Sequence, residues 1–140
     1  MCGYNILRAD KNLLVGSQRQ KVESRPDVLT FSTNTLTSPL HLAGEVLAHV
    51  KVSVDTPDAT LVVHLMDVYP DGRSMLMMEG DVRLALARGL ESLRLLSPGE
   101  VISTTLSLGH ISLIVNAGHK IRLLIASSCS PKLCVPHISV

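Results

Sequence analysis

Residues 46–55 alternate between two kinds of side chain, and this pattern constrains the fold more than any other part of the sequence. One face of the segment is small and apolar, with Val46, Ala48, Val50, Val52 and Val54. The other face carries Leu47, His49, Lys51, Ser53 and Asp55. Because successive side chains of a β-strand point to opposite faces, a period of two predicts a half-buried strand. Pro57 cannot donate to a sheet ladder, so the strand should end before it.

The residues that follow repeat this succession of strands and turns. Residues 59–69 are apolar and β-branched almost throughout, which predicts a strand covered on both faces. The Pro-Asp-Gly sequence at 70–72 is a strong turn signal, so residues 73–78 should return antiparallel. Gly80 then interrupts the run and indicates a β-bulge. Beyond it the alternation resumes at Val82, Leu84 and Leu86.

The C-terminal half carries further short segments of the same kind. Residues 90–96 precede Pro98-Gly99 and are predicted to form mainly loop. We predict a strand over 100–108, a short strand or a turn of helix over 111–115, and a final strand whose inward face carries Ile121, Leu123 and Ile125. Several short strands separated by turn signals favour an all-β sandwich with little helix.

Length and charge exclude several classes of function. At 140 residues the chain can build one domain with a real core. A formal net charge of +1 and only three aromatic residues argue against nucleic-acid binding, which relies on basic patches and stacking. No segment approaches the roughly 20 apolar residues of a membrane span. Arg8, Asp10 and Lys11 stand where a signal peptide needs an apolar core, so we expect a cytoplasmic protein.

The three cysteines do not form a disulfide framework. Cys129 and Cys134 lie near each other in the sequence, whereas Cys2 stands alone. Reduced thiols are the simplest interpretation for a cytoplasmic protein, and a local disulfide is the next. A zinc site from Cys129, Cys134 and His137 is a weaker option, because structural zinc normally has four ligands. We therefore expect no bound metal and no cofactor.

Three short motifs, in their order and spacing, carry a resemblance to a known family. They are Arg-Pro-Asp-Val-Leu-Thr at 25–30, Asp-Val-Tyr-Pro-Asp-Gly-Arg at 67–73, and Ala-Gly-His-Lys-Ile-Arg-Leu at 117–123 followed by Ala-Ser-Ser at 126–128. Together they resemble the C-terminal β-domain of X-Pro dipeptidyl-peptidase and cocaine-esterase-like (CocE/NonD) serine hydrolases. The resemblance covers residues 16–128 and implies a β-jelly roll of the galactose-binding-domain-like kind, with 1–24 as an extended lead-in and 25–140 as the domain.

The resemblance also implies where the chemistry of such hydrolases takes place. In this family the nucleophile, acid and base belong to an α/β-hydrolase domain that precedes the β-domain, and these 140 residues hold no counterpart of it. No Gly-x-Ser-x-Gly elbow occurs in the sequence. After Ser128 the family continues with two aromatic residues around a proline and a basic residue. Here Pro131 and Lys132 fit that pattern, but both aromatics are missing.

Several polar residues are of catalytic type, but each has a simpler structural role. Ser107 lies near His110, but sequence adjacency is not triad geometry. His64 in its apolar run should be hydrogen-bonded in place or face solvent, and His119 should tie its turn by hydrogen bonds. Asp67 and Asp71 flank the hairpin, where turn capping is far commoner than acid/base catalysis.

The remaining candidates are structural as well. Met75, Met77 and Met78 should fill the core or form an apolar contact face. Arg25 and Arg122 are expected to pair with Asp27 or Glu23. We therefore assign no catalytic, cofactor-binding or metal-binding residue to this chain.

Three functional hypotheses follow from the sequence. The first is a non-catalytic β-domain that supports a hydrolase domain supplied by another chain or lost. The second is an independent carbohydrate- or peptide-binding β-sandwich, although sugar sites usually offer aromatic platforms that this sequence lacks. The third, a self-sufficient small hydrolase, has almost no support. Partners are expected to be an α/β-hydrolase subunit or a second copy of the chain, with no nucleic acid and no membrane. The candidate contacts are Leu13, Leu14, Val15, Leu133 and Val135.

Overall fold

The computed structural model describes residues 23–89 and 93–127. Six strands lie within these residues, namely β1 (Val28–Ser32), β2 (Leu40–Ser53), β3 (Thr60–Val68), β4 (Ser74–Arg83), β5 (Val101–Val115) and β6 (Lys120–Ala126). One short 3₁₀ helix, Leu84–Leu86, follows β4. All strand pairs are antiparallel. The prediction of an all-β sandwich is confirmed.

The strands form two sheets that share one core. The larger sheet has the order β1-β6-β3-β4, and the smaller sheet pairs β2 with β5. Apolar side chains of both sheets meet in a single cluster whose buried members are Leu61, Val63, Met78, Leu84, Leu96, Ile102, Leu106 and Leu108. Strand β3 is buried on both faces along most of its length, as its apolar sequence predicted.

Strand β2 extends the predicted alternation in the N-terminal direction. It begins at Leu40, six residues before Val46. The sequence pattern does not show this extension, because Gly44 occupies an inward position and interrupts the period of two. From Val46 onward the inward residues are half-buried and the outward ones are exposed, which confirms the predicted register. Strand β1 has only five residues, too few for a clear period, and was not predicted.

Strand β5 is one continuous strand, so the predicted division into 100–108 and 111–115 is wrong. The pairing with β2 shifts between Val46 and Leu47, which leaves Leu108 as an extra residue in β5. Gly109, at a φ of +101°, supplies the backbone conformation that this bulge needs. The bulge changes which alternate residues face inward. Residues of even number are buried before it, whereas Ile111, Leu113 and Val115 face inward after it.

Strand β4 also contains a bulge, but not at Gly80 as predicted. Its pairing with β3 shifts between Leu65 and Met66, so that Met77 is the extra residue, and Gly80 pairs in register with Val63. Gly80 has a different role. A Cβ atom at this position would lie 2.6 Å from Leu108 Cδ2 and 3.2 Å from the Ser107 carbonyl oxygen. Glycine therefore lets the two sheets approach closely here.

The segment after β4 corrects a second expectation. Leu84 and Leu86 do not continue the strand, because residues 84–86 form the 3₁₀ helix. Leu84 and Ala85 are both buried in consecutive positions, which a strand at a sheet surface does not allow. Residues 93–97 have no regular structure, in agreement with the predicted loop.

The two sheets are packed tightly on one side and open on the other. On β5 the inward residues Ile102, Leu106 and Leu108 are buried. On β2 the inward valines are only half-buried, and the same is true of Leu123 and Ile125 on β6. The most buried residue of β6 is Leu124, on the opposite face to the one predicted. The expected core side of β6 therefore borders an open space between the sheets.

Several predictions fall outside the described residues. They concern the lead-in at 1–22, the cysteines and His137, and the proposed contact residues, Leu13, Leu14, Val15, Leu133 and Val135. The domain boundary at residue 24 remains a prediction. Within the described part of the chain, no helix has the length and apolar character needed to cross a membrane.

The close approach at Gly80 generates a stability prediction. Gly80→Ala should destabilise the domain by about 1–3 kcal/mol, because the added methyl group overpacks the contact with Leu108. Urea unfolding followed by circular dichroism measures this. The stability loss of the double variant Gly80→Ala/Leu108→Ala should be smaller than the sum of the losses of the two single variants, since Leu108→Ala removes the clash. Additive losses would show that the contact with Leu108 is not the reason why position 80 requires glycine.

Candidate functional site

An apolar cleft lies between the two sheets of the described chain. Its volume is about 610 Å³. Strand β2 forms one wall, and residues of β1, β3 and β6 form the other. Most of the lining side chains are aliphatic, including Leu29, Val50, Leu65, Leu123 and Ile125, and Phe31 adds an aromatic ring. The polar members are Asp27, His49, Lys51, Thr60 and Ser127. The cleft lies where the two sheets diverge, so that both walls present the inner faces of the sandwich.

The mouth of the cleft is marked by large exposed apolar side chains. Leu29 is 59% exposed, Phe31 55% and Leu47 47%. Asp27 borders one end, and its pKa is lowered by the hydrogen bond from the Arg25 guanidinium. This Arg25–Asp27 pair, predicted from the sequence, is on the surface. The cleft therefore offers apolar contact rather than a set of acid and base groups.

The hairpin between β3 and β4 carries a polar cluster at one end of the larger sheet. His119 Nδ1 donates to Asp67 Oδ1 over 2.7 Å. The ring of Tyr69 lies against the His119 imidazole, with 4.4 Å between the ring centroids. The Arg73 guanidinium also contacts Tyr69, with Cζ 4.9 Å from the centroid of its ring. His119 ties its turn to the sheet, as predicted. Asp67 does not cap the hairpin, contrary to expectation, because its carboxylate is committed to His119.

Asp71 caps the hairpin turn as predicted. Its Oδ1 accepts the Arg73 backbone N–H over 3.0 Å, and Oδ2 accepts from Arg73 Nε over 2.6 Å. The Arg73 backbone amide is the main cause that lowers the pKa of this carboxyl group. Gly72, at a φ of +85°, provides the left-handed position of the turn. The turn of the hairpin is therefore stabilised by local polar contacts of Asp71.

Ser107, which lies near His110 in the sequence, is not arranged as a catalytic nucleophile. Its hydroxyl donates to Glu45 Oε1 over 2.7 Å and accepts the Gly109 N–H over 3.2 Å. His110 lies opposite Glu45 in the β2–β5 ladder. The serine proton is thus directed at a carboxylate and not at an imidazole that could act as its base. These contacts stabilise the bulge in β5.

The second arginine pair predicted from the sequence joins distant parts of the chain. Arg122 on β6 binds Glu23 through Nη1 and Ser32 Oγ through Nε. The Glu23 side chain is only 8% exposed, so this is a buried structural pair. His64 is also largely buried and lies 3.7 Å from Glu79, which matches the expectation of a histidine held in place.

Asp58 is a structural residue that the sequence did not reveal. Its side chain is fully buried, although the Thr-Pro-Asp sequence at 56–58 indicated only a strand break. Oδ2 accepts from Arg83 Nε, and Oδ1 accepts the Ala85 backbone N–H over 3.1 Å. The carboxylate therefore connects the turn after β2 to the 3₁₀ helix after β4. Only the tertiary structure brings these segments together.

The described polar residues form contacts that stabilise the fold. In residues 23–89 and 93–127 no group of three or more His, Cys, Asp or Glu side chains could hold a metal ion. Of the methionines at 75, 77 and 78, Met78 is buried in the core, and Met75 and Met77 are half-buried. Within each polar cluster, the side chains form hydrogen bonds with one another. The apolar cleft is the feature best suited to contact with another molecule.

Comparisons with known proteins match both the sequence and the fold. The sequence profile of the X-Pro dipeptidyl-peptidase C-terminal non-catalytic domain matches residues 7–137. Cocaine esterase of Rhodococcus sp. (strain MB1 Bresler) is 32% identical over 116 residues, which cover 83% of this chain and 20% of that protein. The chain therefore spans about a fifth of the length of the curated relatives that it matches.

Two solved structures share the fold of the described strands. The aminopeptidase of a marine sediment archaeon (Thaumarchaeota archaeon) has a TM-score of 0.80 at 29% identity, with 86% of this chain and 21% of that chain covered. An α-amino acid ester hydrolase has a TM-score of 0.81 at 26% identity, with 88% and 21% covered. In both cases the similarity is confined to one part of a longer enzyme.

The buried carboxylate of Asp58 generates a second stability prediction. Asp58→Ala should cost about 1–3 kcal/mol in the free energy of unfolding, because the buried Ala85 N–H loses its acceptor. Asp58→Asn keeps one acceptor oxygen and should cost less. Asp71→Ala is the matched control, since its pair with Arg73 is exposed and should contribute little. Equal losses for the Asp58→Ala and Asp71→Ala variants in thermal unfolding would contradict the assigned role of Asp58.

Proposed function

Because the chain belongs to the family of X-Pro dipeptidyl-peptidase C-terminal non-catalytic domains, we propose that it supports the α/β-hydrolase domain of a serine hydrolase. In this role the β-domain holds the shape of the enzyme and takes no part in bond cleavage. The match to the non-catalytic domain over residues 7–137 is the observation that carries the proposal. The relatives named above include an esterase and an aminopeptidase, so an ester or a peptide bond is the class of substrate.

The polar contacts of the described residues support a non-catalytic role. Ser107 donates to the Glu45 carboxylate, so its hydroxyl is not arranged as a nucleophile paired with an imidazole base. Hydrolysis by a serine needs an activated hydroxyl and an oxyanion hole. The hydrolase domain that supplies these groups is the partner that we propose.

The finer features of the proposal rest on the sequence. We infer that residues 25–140 form the domain and that residues 1–24 are the connection through which the chain enters it. We also propose that the protein acts in the cytoplasm and that a second copy or a hydrolase subunit covers its apolar surface. An apolar patch of several hundred Å² is uncommon on a monomer and usually marks a contact.

Peptide binding is the alternative that a specific observation favours. The cleft is lined by aliphatic side chains, with Phe31 at its mouth, and it has the composition of a surface that receives apolar side chains. Tyr69, the other aromatic residue of the described chain, contacts the His119 ring at a tilt of 45° and the Arg73 guanidinium, and it does not line the cleft. The structure therefore favours a peptide over a carbohydrate as a ligand of this domain.

The proposal is tested by comparing the chain alone with the chain added to a hydrolase domain. The purified chain should hydrolyse neither p-nitrophenyl acetate nor X-Pro anilides, and Ser107→Ala should not change this result. It should bind the Rhodococcus cocaine esterase from which the matched 116 residues have been removed, and it should raise the thermal stability of that fragment. Binding is measured by isothermal titration calorimetry.

Two results would contradict the proposed function. One is ester hydrolysis by the chain alone that survives repurification and is lost in Ser107→Ala. The other is an absence of binding to the hydrolase fragment when the intact esterase, purified in parallel, is stable and active. The second result would leave a binding module of independent function as the better interpretation.

A further inference from the structure

Strand β1 buries little apolar surface. In the described sheets it lies at an edge and pairs with β6 alone. All of its residues except Val28 are exposed, including the two largest, Leu29 and Phe31. Strand β3 of the same sheet is buried along most of its length. Because segments with few buried apolar contacts open at a lower free energy than the core, β1 is suited to local opening.

Backbone hydrogen bonds connect β1 to β6. Directly after the strand, the Thr33 N–H donates to the Ile121 carbonyl oxygen over 3.0 Å. In an antiparallel ladder, hydrogen-bonded pairs alternate with pairs that are not hydrogen-bonded. The register therefore gives two hydrogen-bonded pairs within β1, which are Phe31 with Leu123 and Leu29 with Ile125.

The chain is anchored firmly just after β1. The Leu36 N–H donates to the His119 carbonyl oxygen over 2.8 Å, and the Gly118 N–H donates to the Leu36 carbonyl oxygen over 2.8 Å. The hydroxyl of Thr33 also accepts the Ile121 N–H over 3.1 Å. An opening of β1 would therefore end at residue 33, and the segment that moves would be 23–32.

One side chain of β6 binds this segment at two places. Arg122 Nε donates to Ser32 Oγ over 2.8 Å, at the last residue of β1, and Nη1 donates to Glu23, before the strand begins. Between these two contacts the chain turns, and the Val28 N–H donates to the Arg25 carbonyl oxygen over 3.3 Å. A single guanidinium thus holds both ends of the segment against the larger sheet.

The buried carboxylate of Glu23 is only partly compensated. Its Oε2 binds Arg122, but its Oε1 is buried and accepts no hydrogen bond from the residues that the structure describes. Burying a charge costs free energy that an ion pair offsets fully only when the remaining oxygen is also bonded. In an open state, water can reach this oxygen. The contact with Arg122 therefore holds the segment by a small margin.

We propose that residues 23–32 form a strap that opens and closes separately from the rest of the domain, with Arg122 as its latch. Leu29 and Phe31 of the strap line the apolar cleft. Opening would widen the cleft and expose the edge of β6, and closing would restore the wall. The inference does not depend on which enzyme the domain supports.

Hydrogen exchange followed by NMR on the full chain tests the separate opening. Successive N–H groups of a strand point to opposite edges, so the amides of Leu123 and Ile125 face β1 whereas that of Leu124 faces β3. After correction for intrinsic rates, Leu123 and Ile125 should exchange at least about tenfold faster than Leu124, because only their partners leave when the strap opens.

Variants of the latch test the role of Arg122. Glu23→Gln keeps the shape of the side chain but removes its charge, and it should speed exchange at Leu123 and Ile125 about tenfold while leaving Leu124 unchanged. Ser32→Ala removes the other contact and should act in the same direction. Arg25→Gln is the matched control. It breaks the exposed pair with Asp27 in the same segment and should change no exchange rate.

Three results would overturn the proposal. The first is equal protection of Leu123 and Leu124, which would show that β1 opens only with the whole domain. The second is equal acceleration of all three β6 amides in Glu23→Gln, since the contact would then support the global fold. The third is an Arg25→Gln effect as large as that of Glu23→Gln. The calorimetric experiment with the esterase fragment tests the hydrolase role separately.

Discussion

The close contact between the two sheets at Gly80 is the constraint on which the rest of the architecture depends. Because Gly80 has no side chain, Leu106 and Leu108 of β5 can pack directly on β4. This contact holds one side of the sandwich shut and buries the main apolar cluster. The other side diverges, since β2 lacks an equivalent contact with β6 and β1. The tight side stabilises the fold, and the open side forms the cleft.

Two bulges make this arrangement compatible with the sequence. An extra residue in a strand reverses which alternate positions face inward, and each bulge restores an apolar face to the core. In β5 the change occurs at Leu108, with Gly109 in the conformation that it requires. Ser107 bonds to the Gly109 amide and to Glu45 at the same place. A serine that looked like a catalytic candidate in sequence thus stabilises an irregular strand.

The polar residues of the described chain share this structural use. Asp58, Asp67 and Glu23 each accept hydrogen bonds from groups distant in sequence, and each is mostly buried. A carboxylate held in this way joins loops that apolar packing alone would leave apart. These polar groups therefore stabilise the domain itself. Among the described residues, the features open to interaction are the apolar cleft and the edge of β2 that does not pair with β5.

The sequence alone determined the fold class, the family and the main register. The valine alternation from Val46 to Val54 depends only on the geometry of a single strand, so it could be read without tertiary information. The turn at 70–72 was also predictable, because it depends on neighbouring residues. The ion pairs of Arg25 with Asp27 and of Arg122 with Glu23 were predictable from their opposite charges.

The tertiary structure decided which residues meet across the sheets. It placed the bulges at Met77 and Leu108, converted residues 84–86 into a 3₁₀ helix, and buried Asp58. It also left the inner face of β6 half-open while Leu124 on the opposite face became buried. Periodicity assigns a side chain to a face of its own strand. Whether that face is covered depends on the packing of strands that are distant in sequence, and only the folded chain contains that information.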